Sequence, residues 1–243
     1  MARDRPAAEL LFERYLCANG YEWEHEPNLG IGTVPDFRIR RKGIEAICEV
    51  KQFTTNAIRE LGEAAGGPVV VPPSLLYRTI RAQLDSAARQ LRPLADRRLP
   101  LVVVLANPSR AAVSLDPPTL FHAMYGDGGW VAADDPAPSF EQWPYPTAGG
   151  RDGSLTSKHR FISAVTALRT GRNAGAQFDA PPEPEALDQP YLHVIDTMSD
   201  EAYRLPPAVF NGSSDARWAP DEHNHYRQVA AAARLGSVRD PDT

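Results

Sequence analysis

Two segments near the start of the chain alternate apolar and polar residues with the period of a β-strand. They run from Val34 to Arg40 and from Ile44 to Lys51, with Arg41-Lys42-Gly43 between them. Strand-like alternation on both sides of a short glycine-containing segment predicts a β-hairpin. Along the second strand, Glu45, Ile47, Glu49 and Lys51 share one face, and Ile44, Ala46, Cys48 and Val50 form an apolar stripe on the other. We expect the apolar stripe to face the core.

Two further segments carry the period of an α-helix. The first runs from Ala7 to Asn19 and is stopped by Gly20, and the second runs from Ser74 to Leu94 with arginines around its apolar stripe. A continuous apolar run from Leu99 to Ala106 follows, and it predicts a strand that is buried on both faces. The first part of the chain therefore has the predicted order helix, hairpin, helix and buried strand.

The second half of the chain is rich in turn-forming residues. Asp127 to Gly153 contains many Pro, Gly and Asp residues with interspersed aromatics, which is typical of a long loop or of a flap over a cleft. Two more strands are predicted, from Arg160 to Leu168 and from Tyr191 to Ile195. An alanine-rich helix is predicted from Glu222 to Leu235, and a tail from Gly236 to Thr243. A loop from Thr170 to Pro190 separates the two strands, and we expect both to extend the same sheet.

Length and composition favour one α/β domain. The chain has 243 residues, 42% of them hydrophobic, which is enough to bury a full core. We expect a single domain over residues 1–235, with its core at 7–106 and a C-terminal elaboration at 107–235, followed by a flexible tail at 236–243. No apolar run reaches bilayer length, and the first residues lack a signal-peptide pattern, so a soluble cytoplasmic protein with no membrane partner is expected.

The predicted hairpin brings polar residues together. Folding at its turn places Asp36 beside Glu49, and Lys51 follows Glu49 on the same face, about 6 to 7 Å along the strand. Two buried acids and a lysine cost several kcal/mol unless they are paired or bound to a cation. The sequence therefore predicts a site for a divalent cation at Asp36 and Glu49, with Lys51 beside it.

The spacing of these residues resembles a known signature. Pro35-Asp36, a gap of twelve residues and Glu49-Val50-Lys51 are similar to the motif of the PD-(D/E)xK nucleases, and the order of the predicted elements fits that family. The resemblance implies a restriction-endonuclease-like α/β fold, with a mixed central sheet flanked by helices and with additional C-terminal strands and loops. It also implies a metal-dependent nuclease that acts on DNA in restriction, phage defence or repair.

The resemblance assigns roles to the residues of the motif. Asp36 and Glu49, with the backbone carbonyl of Val50, would hold Mg²⁺ or Mn²⁺, and Lys51 would position or activate the attacking water. An acid on the preceding helix completes the metal site in some members of the family. Glu9 lies at a similar spacing before Gly20, and Glu13, one turn further along the same face, is the alternative. The competing interpretation is that both glutamates are solvated charges on a surface helix.

Three more residues are candidates for accessory roles. Gln52 either helps to orient the nucleophile, as polar residues near this position do in some members of the family, or faces solvent. Tyr77 and Gln90 lie on the predicted helix that follows the catalytic strand, from which they would reach the site.

The net charge of −5 argues against a protein that coats nucleic acid through a broad basic surface. The arginines are nevertheless clustered. Arg38 and Arg40 lie on the hairpin, and Arg78 and Arg81 begin a run of six arginines that ends at Arg98. Either these side chains grip phosphates on both sides of the scissile bond, or they are solvated faces that protect the hairpin from aggregation. We expect weak, locally focused binding of nucleic acid, of DNA rather than RNA.

Alternatives to the nuclease hypothesis remain open from sequence. A catalytically silent domain of the same fold would bind nucleic acid or a partner protein, and a homodimer is compatible with either activity. Cys17 and Cys48 fall in apolar patterns and are expected to be reduced core residues rather than a disulfide. His223 and His225 do not share a helix face and are expected to be solvated.

Overall fold

The computed structural model describes residues 5–30, 32–54, 73–108, 113–126, 130–131, 145–146, 155, 158–170, 189–197, 199, 201–212, 215–220 and 226–229. These residues form an α/β structure in which a mixed sheet is flanked by helices. The coarse prediction of fold class is therefore confirmed. Among the described residues, no helix combines the length and the apolar content needed to cross a bilayer.

The described helices are α1 (Ala7–Ala18), α2 (Pro73–Leu91) and α3 (Pro117–Tyr125), and a 3-10 helix over Arg92–Arg97 continues α2. The helix predicted to end at Leu94 changes to 3-10 geometry after Leu91, because Pro93 cannot donate the backbone hydrogen bond of an α-helix. Helix α3 was not predicted. It starts at Asp116, whose side chain accepts a hydrogen bond from the Thr119 N–H at 2.8 Å, as an N-cap does.

The large sheet has eight described strands. In chain order they are β1 (Glu22–His25), β2 (Phe37–Arg41), β3 (Ile44–Gln52), β4 (Leu101–Ala106), β7 (Ala164–Arg169), β8 (Tyr191–Asp196), β9 (Ala216–Pro220) and β10 (Tyr226–Val229), and their spatial order is the same. The pairs β3–β4, β4–β7 and β8–β9 are parallel, and the other neighbours are antiparallel. Strands β5 (Trp130–Val131) and β6 (Tyr145–Pro146) form a separate antiparallel ribbon.

The predicted hairpin is confirmed as β2 and β3, with a tighter turn than expected. Arg41 pairs with Ile44, so only Lys42 and Gly43 form the turn, and both have positive φ, at 49° and 75°. Two consecutive residues with positive φ are typical of the hairpin turn that matches the twist of antiparallel strands. The first strand begins at Phe37 rather than Val34, because Pro35 has no N–H for the ladder.

Both faces of β3 are buried, whereas only one was expected to face the core. Ala46, Cys48 and Val50 lie in the core with residues of α1, so the expected core face of this strand is confirmed. On the opposite face, Ile47 packs with residues of α2 and β4. The chain crosses over between the parallel strands β3 and β4, so α2 covers the face that carries Glu49 and Lys51. The polar residues of the predicted site therefore lie between the sheet and a helix.

Several other predictions can be compared with the structure. The buried strand at Leu101–Ala106 is confirmed, as are strands β7 and β8 near their predicted positions. The helix predicted over Glu222 to Leu235 is wrong at residues 226–229, which form strand β10 against β9; residues 221–225 and 230–243 lie outside the described residues. Most of the residues in the predicted loops at 127–153 and 170–190 also lie outside the described residues.

Cys48 is buried and free as expected, but the free Cys17 is exposed rather than in the core.

His193 on β8 is a buried histidine with a strong preference for its neutral form. Its ring packs against those of Tyr191 and Trp218, with centroids 5.5 and 5.2 Å away. Burial lowers the pKa of His193 to about 3, and the positive charge of Arg169 acts in the same direction, against a smaller effect of Asp116. At pH values between that pKa and the ordinary value of 6.5, His193 binds a proton in the unfolded chain and does not bind it in the folded protein.

Stability should therefore fall as the pH is lowered below about 6.5. We expect His193 to contribute a loss of about 2 kcal/mol in the free energy of unfolding between about pH 7 and pH 5. Urea unfolding of the unmodified protein and of His193→Gln at both pH values measures this effect, since glutamine does not titrate. An equal pH-dependent loss in the two proteins would contradict the assignment.

Candidate functional site

The site is built at the end of the β2–β3 hairpin, beyond its last paired residues. The ladder ends where Phe37 pairs with Cys48. One residue further on, the side chain of Asp36 takes the place of a ladder partner, because its Oδ2 accepts a hydrogen bond from the Val50 N–H at 2.7 Å. Pro35 precedes it and has no N–H of its own to offer. The bond to Val50 fixes the Asp36 carboxylate against the Glu49-Val50-Lys51 segment.

Glu49 and Lys51 form an ion pair on the face of β3 that α2 covers. The Lys51 Nζ donates a hydrogen bond to Glu49 Oε1 at 2.7 Å, and it also donates to the side-chain oxygen of Gln90 on α2. Glu49 is fully buried, and its second oxygen, Oε2, has no hydrogen-bond partner among the described residues. A buried carboxylate oxygen without a donor is costly, so this atom is a ready position for a cation.

The electrostatics of the two acids show that they act on each other. Burial raises the pKa of Glu49 to about 7, and the negative charge of Asp36 adds to that rise while Lys51 opposes it. Burial likewise raises the pKa of Asp36 above its usual value, against the Val50 N–H, and the charge of Glu9 raises it further. The charges of Glu9 and Asp36 thus each act on a neighbouring acid of the site, and Lys51 is the nearby positive charge.

Glu9 is brought to this place by Gln52 and His25. The side-chain oxygen of Gln52 accepts a hydrogen bond from the Ala8 N–H at 3.0 Å, which ties the first turn of α1 to the end of β3. Glu9 Oε2 lies 2.8 Å from His25 Nε2 at the end of β1. Gln52 thus positions the helix that carries Glu9, a role different from the two that the sequence suggested for it.

The other candidate residues are placed as follows. Glu13, the alternative to Glu9, is bound by the Arg5 guanidinium at 2.6 Å. Gln90 is at the site through Lys51. Tyr77 lies thirteen residues earlier on α2, about 20 Å away along the helix, where its ring stacks on His122 with centroids 4.9 Å apart. The structure therefore brings Gln90 to the site and leaves Tyr77 distant from it.

The arginines singled out in the sequence already have partners, with one exception. Arg38 and Arg40 donate hydrogen bonds to Glu45 Oε2 at 2.8 and 3.3 Å, and the bond from Arg38 lowers the pKa of Glu45. Arg81 donates to two carbonyls in the last turn of α3 at 2.9 and 3.3 Å. Arg78 is exposed and forms no ion pair with a described carboxylate.

The backbone offers a further oxygen beside Asp36. The N–H groups of Ile47 and Phe53 donate to carbonyls at either end of β4, at 3.0 and 2.9 Å. Because the polar groups of successive residues alternate in direction along a strand, those of Val50 point the other way, toward the β2 side. The Val50 N–H is taken by Asp36, and its carbonyl lies past the last ladder pair. Asp36, Glu49 and this carbonyl form a set of hard oxygen donors.

No protein-family model, no curated protein and no solved structure matches this chain. Within the described parts of the chain, no group of three or more His, Cys, Asp or Glu side chains is arranged to hold a metal ion. A site of two carboxylates still suits Mg²⁺, which usually keeps several waters and binds through one or two carboxylates. The donors present are thus of the kind that this ion takes, and the unpartnered Glu49 Oε2 is the observation that favours a cation there.

His25 is the residue of this site that the sequence interpretation missed. It stands alone between acidic residues, in the four-residue strand β1, and nothing in its immediate neighbourhood marks it as functional. The available signal was the alternation Glu22-Trp23-Glu24-His25, which places Trp23 and His25 on one face. The pairing of His25 with Phe37, the residue after Asp36, is a long-range interaction that this pattern does not specify.

Proposed function

We propose that this protein is a metal-dependent phosphodiester hydrolase that cleaves nucleic acid, with DNA as the expected substrate. The observation that carries the proposal is the convergence of Asp36, Glu49 and Lys51, in which Glu49 is fully buried beside Asp36 and keeps one oxygen without a partner among the described residues. Two acids in a buried site, where the charge of Asp36 raises the pKa of Glu49, are unfavourable for stability alone, and such arrangements cluster at functional sites.

The fold proposed with this function is the restriction-endonuclease-like fold. In its support, the helix, hairpin, helix and strand expected from the resemblance occur in order as α1, β2–β3, α2 and β4, with β1 in addition. The parallel pairing of β3 with β4 puts α2 over the face that carries Glu49 and Lys51. The PD-(D/E)xK residues thus stand at one end of a hairpin and under one helix.

Each residue of the site has a part in the proposed reaction. Asp36, Glu49 and the Val50 carbonyl would hold Mg²⁺ or Mn²⁺, and the ion would supply positive charge to the phosphoryl oxygens of the scissile group. Glu9 adds a third carboxylate from α1. Lys51, held by Glu49 and Gln90, presents a compact ammonium that donates hydrogen bonds to the attacking water or to the phosphate.

The test is cleavage of a panel of substrates by the purified protein. Plasmid, linear duplex, single-stranded DNA and RNA are incubated with Mg²⁺ or Mn²⁺, with and without a chelator, and Asp36→Asn is run beside the unmodified chain. We expect metal-dependent cutting that Asp36→Asn abolishes, and the panel sorts the substrate class. If the folded protein binds nucleic acid without cutting any member of the panel, a catalytically silent binding domain replaces this proposal.

We also propose that phosphates are bound by exposed arginines near the end of α2 rather than by the hairpin. Arg89 is next to Gln90, and Arg97 donates to the Leu29 carbonyl at 3.0 Å, in the segment that leads to Asp36. Neither forms an ion pair with a described carboxylate. Arg38 and Arg40, by contrast, are held by acidic neighbours that offset their charge.

Two double variants separate these surfaces. Arg89→Gln with Arg97→Gln should weaken binding of a DNA duplex and lower the slope of its salt dependence by about one for each phosphate that is no longer neutralised. Arg38→Gln with Arg40→Gln, matched in charge change, should have the smaller effect. Fluorescence anisotropy over a range of salt concentrations, with Ca²⁺ in place of Mg²⁺, measures both. A larger effect in the hairpin variant would assign phosphate binding to the hairpin instead.

A further inference from the structure

We propose that His25 is a positioning residue that holds the Glu9 carboxylate in the orientation the metal site needs. The inference rests on the proposed function, because Glu9 matters to catalysis only if Asp36 and Glu49 bind a cation. It goes beyond that function by adding a residue outside the PD-(D/E)xK signature, in a strand that the signature does not include.

The interaction between the two side chains is short and sheltered. His25 Nε2 lies 2.8 Å from Glu9 Oε2, and the side chains are 22% and 13% exposed. An ionised carboxylate only accepts hydrogen bonds, so the Nε2 atom carries the hydrogen and donates it. With Oε2 engaged by His25, the other oxygen of Glu9 would be the one to contact a bound cation. Partner groups of this kind, outside the ligands themselves, fix ligand orientation at metal sites.

The position of His25 is itself fixed by the residue that follows Asp36. His25 is paired with Phe37 in the β1–β2 ladder. Its ring meets that of Phe37 edge-on, with centroids 5.2 Å apart and planes at 65°. One short chain of interactions therefore leads from Asp36 through Phe37 and His25 to Glu9, whose charge in turn raises the pKa of Asp36.

Arg5 also lies near Glu9, but its closer ion pair is with Glu13. Its Nη1 lies 2.6 Å from Glu13 Oε2, whereas its Nε is 3.7 Å from Glu9 Oε2. The guanidinium also lies over the Phe37 ring, 5.9 Å from the centroid. The direct hydrogen bond to Glu9 among the described residues is thus the one from His25, which makes that histidine the group that orients it.

The test compares His25→Ala with His25→Gln, in which the amide nitrogen replaces Nε2 as donor. Mn²⁺ binding is measured by calorimetric titration, and the metal concentration that half-saturates cleavage is measured in parallel. We expect His25→Ala to raise the Kd for Mn²⁺ and the half-saturating concentration about tenfold or more, because removal of such a partner typically weakens metal affinity or activity by about 10- to 100-fold. His25→Gln should recover most of the lost affinity for Mn²⁺. His159→Ala, which removes a histidine bonded to Asp85 at 3.0 Å, is the matched control and should change neither.

A double variant and a metal-free measurement complete the test. His25→Ala combined with Glu9→Gln should be no worse than Glu9→Gln alone, because His25 acts through Glu9. Long-range ¹H–¹⁵N NMR of the metal-free protein should show the Nε2–H form of His25, and this preference should weaken in Glu9→Gln. Additive effects, or unchanged metal dependence in His25→Ala, would overturn the inference while the unmodified protein still binds Mn²⁺ and cuts. If the unmodified protein does neither, the proposed function fails first.

Discussion

Lys51→Ala should lower the maximal rate of nucleic-acid cleavage about 1,000-fold, the middle of the range for removal of a group that stabilises charge or transfers a proton in the transition state. Lys51 Nζ is held by Glu49 and Gln90, so it is fixed in place before any substrate arrives. Its removal leaves the oxygen donors intact, and Mn²⁺ binding should therefore persist. Single-turnover cleavage at saturating metal separates the chemical step from binding.

Lys158→Ala is the matched control, because Lys158 is an exposed lysine on a different segment. It should cleave at the rate of the unmodified protein. Circular dichroism checks that both variants are folded. A Lys51→Ala rate within about tenfold of the unmodified rate would remove Lys51 from the mechanism.

Arg217→Met should destabilise the folded protein by about 3 to 5 kcal/mol, the usual effect of breaking a buried ion pair from one side. Arg217 on β9 binds both oxygens of Asp196 at 2.8 Å, and it also donates to three carbonyls in the segment 205–209. The two side chains are only 12% and 17% exposed. Methionine keeps much of the volume but leaves the Asp196 carboxylate and the carbonyls without these donors.

Arg160→Met provides a comparison, because the ion pair of Arg160 has the same N···O distance as that of Arg217. Arg160 also meets a carboxylate, that of Glu201, at 2.8 Å, but these side chains are 40% and 59% exposed. Exposed pairs contribute about 0 to 1 kcal/mol, so this variant should lie close to the unmodified protein. Urea unfolding followed by circular dichroism measures both. Equal destabilisation in the two variants would show that burial of the Arg217 pair does not contribute as argued.

The part of the site that depends on local pattern is predictable from sequence. The β2–β3 hairpin follows from alternation and from Gly43, and it brings Asp36 to Val50 and sets Glu49 and Lys51 on one face. The burial of that face is not a local property. It arises because the crossover to β4 places α2 over the sheet. The alternation of residues within β3 does not indicate that a helix covers this face.

Other elements were missed where long-range pairing or unusual local chemistry decides the structure. Strand β1 is four residues long, and its pairing with β2 places His25 beside Phe37. Residues 226–229 precede an alanine-rich run that favours helix, yet they pair with β9. In α3, the two prolines at 117 and 118 suggest a break, but proline suits the first turn after a cap such as Asp116.

Cation binding by Asp36 and Glu49 is the property on which the proposed function depends, and calorimetric titration of Mn²⁺ measures it most directly. The unmodified protein, Asp36→Asn and Glu49→Gln are compared, with Asp85→Asn as a control acid on α2. We predict saturable binding that is abolished in both site variants and retained in the control. Absence of saturable binding, or binding that survives in Asp36→Asn and Glu49→Gln, would contradict a metal-dependent hydrolase at this site.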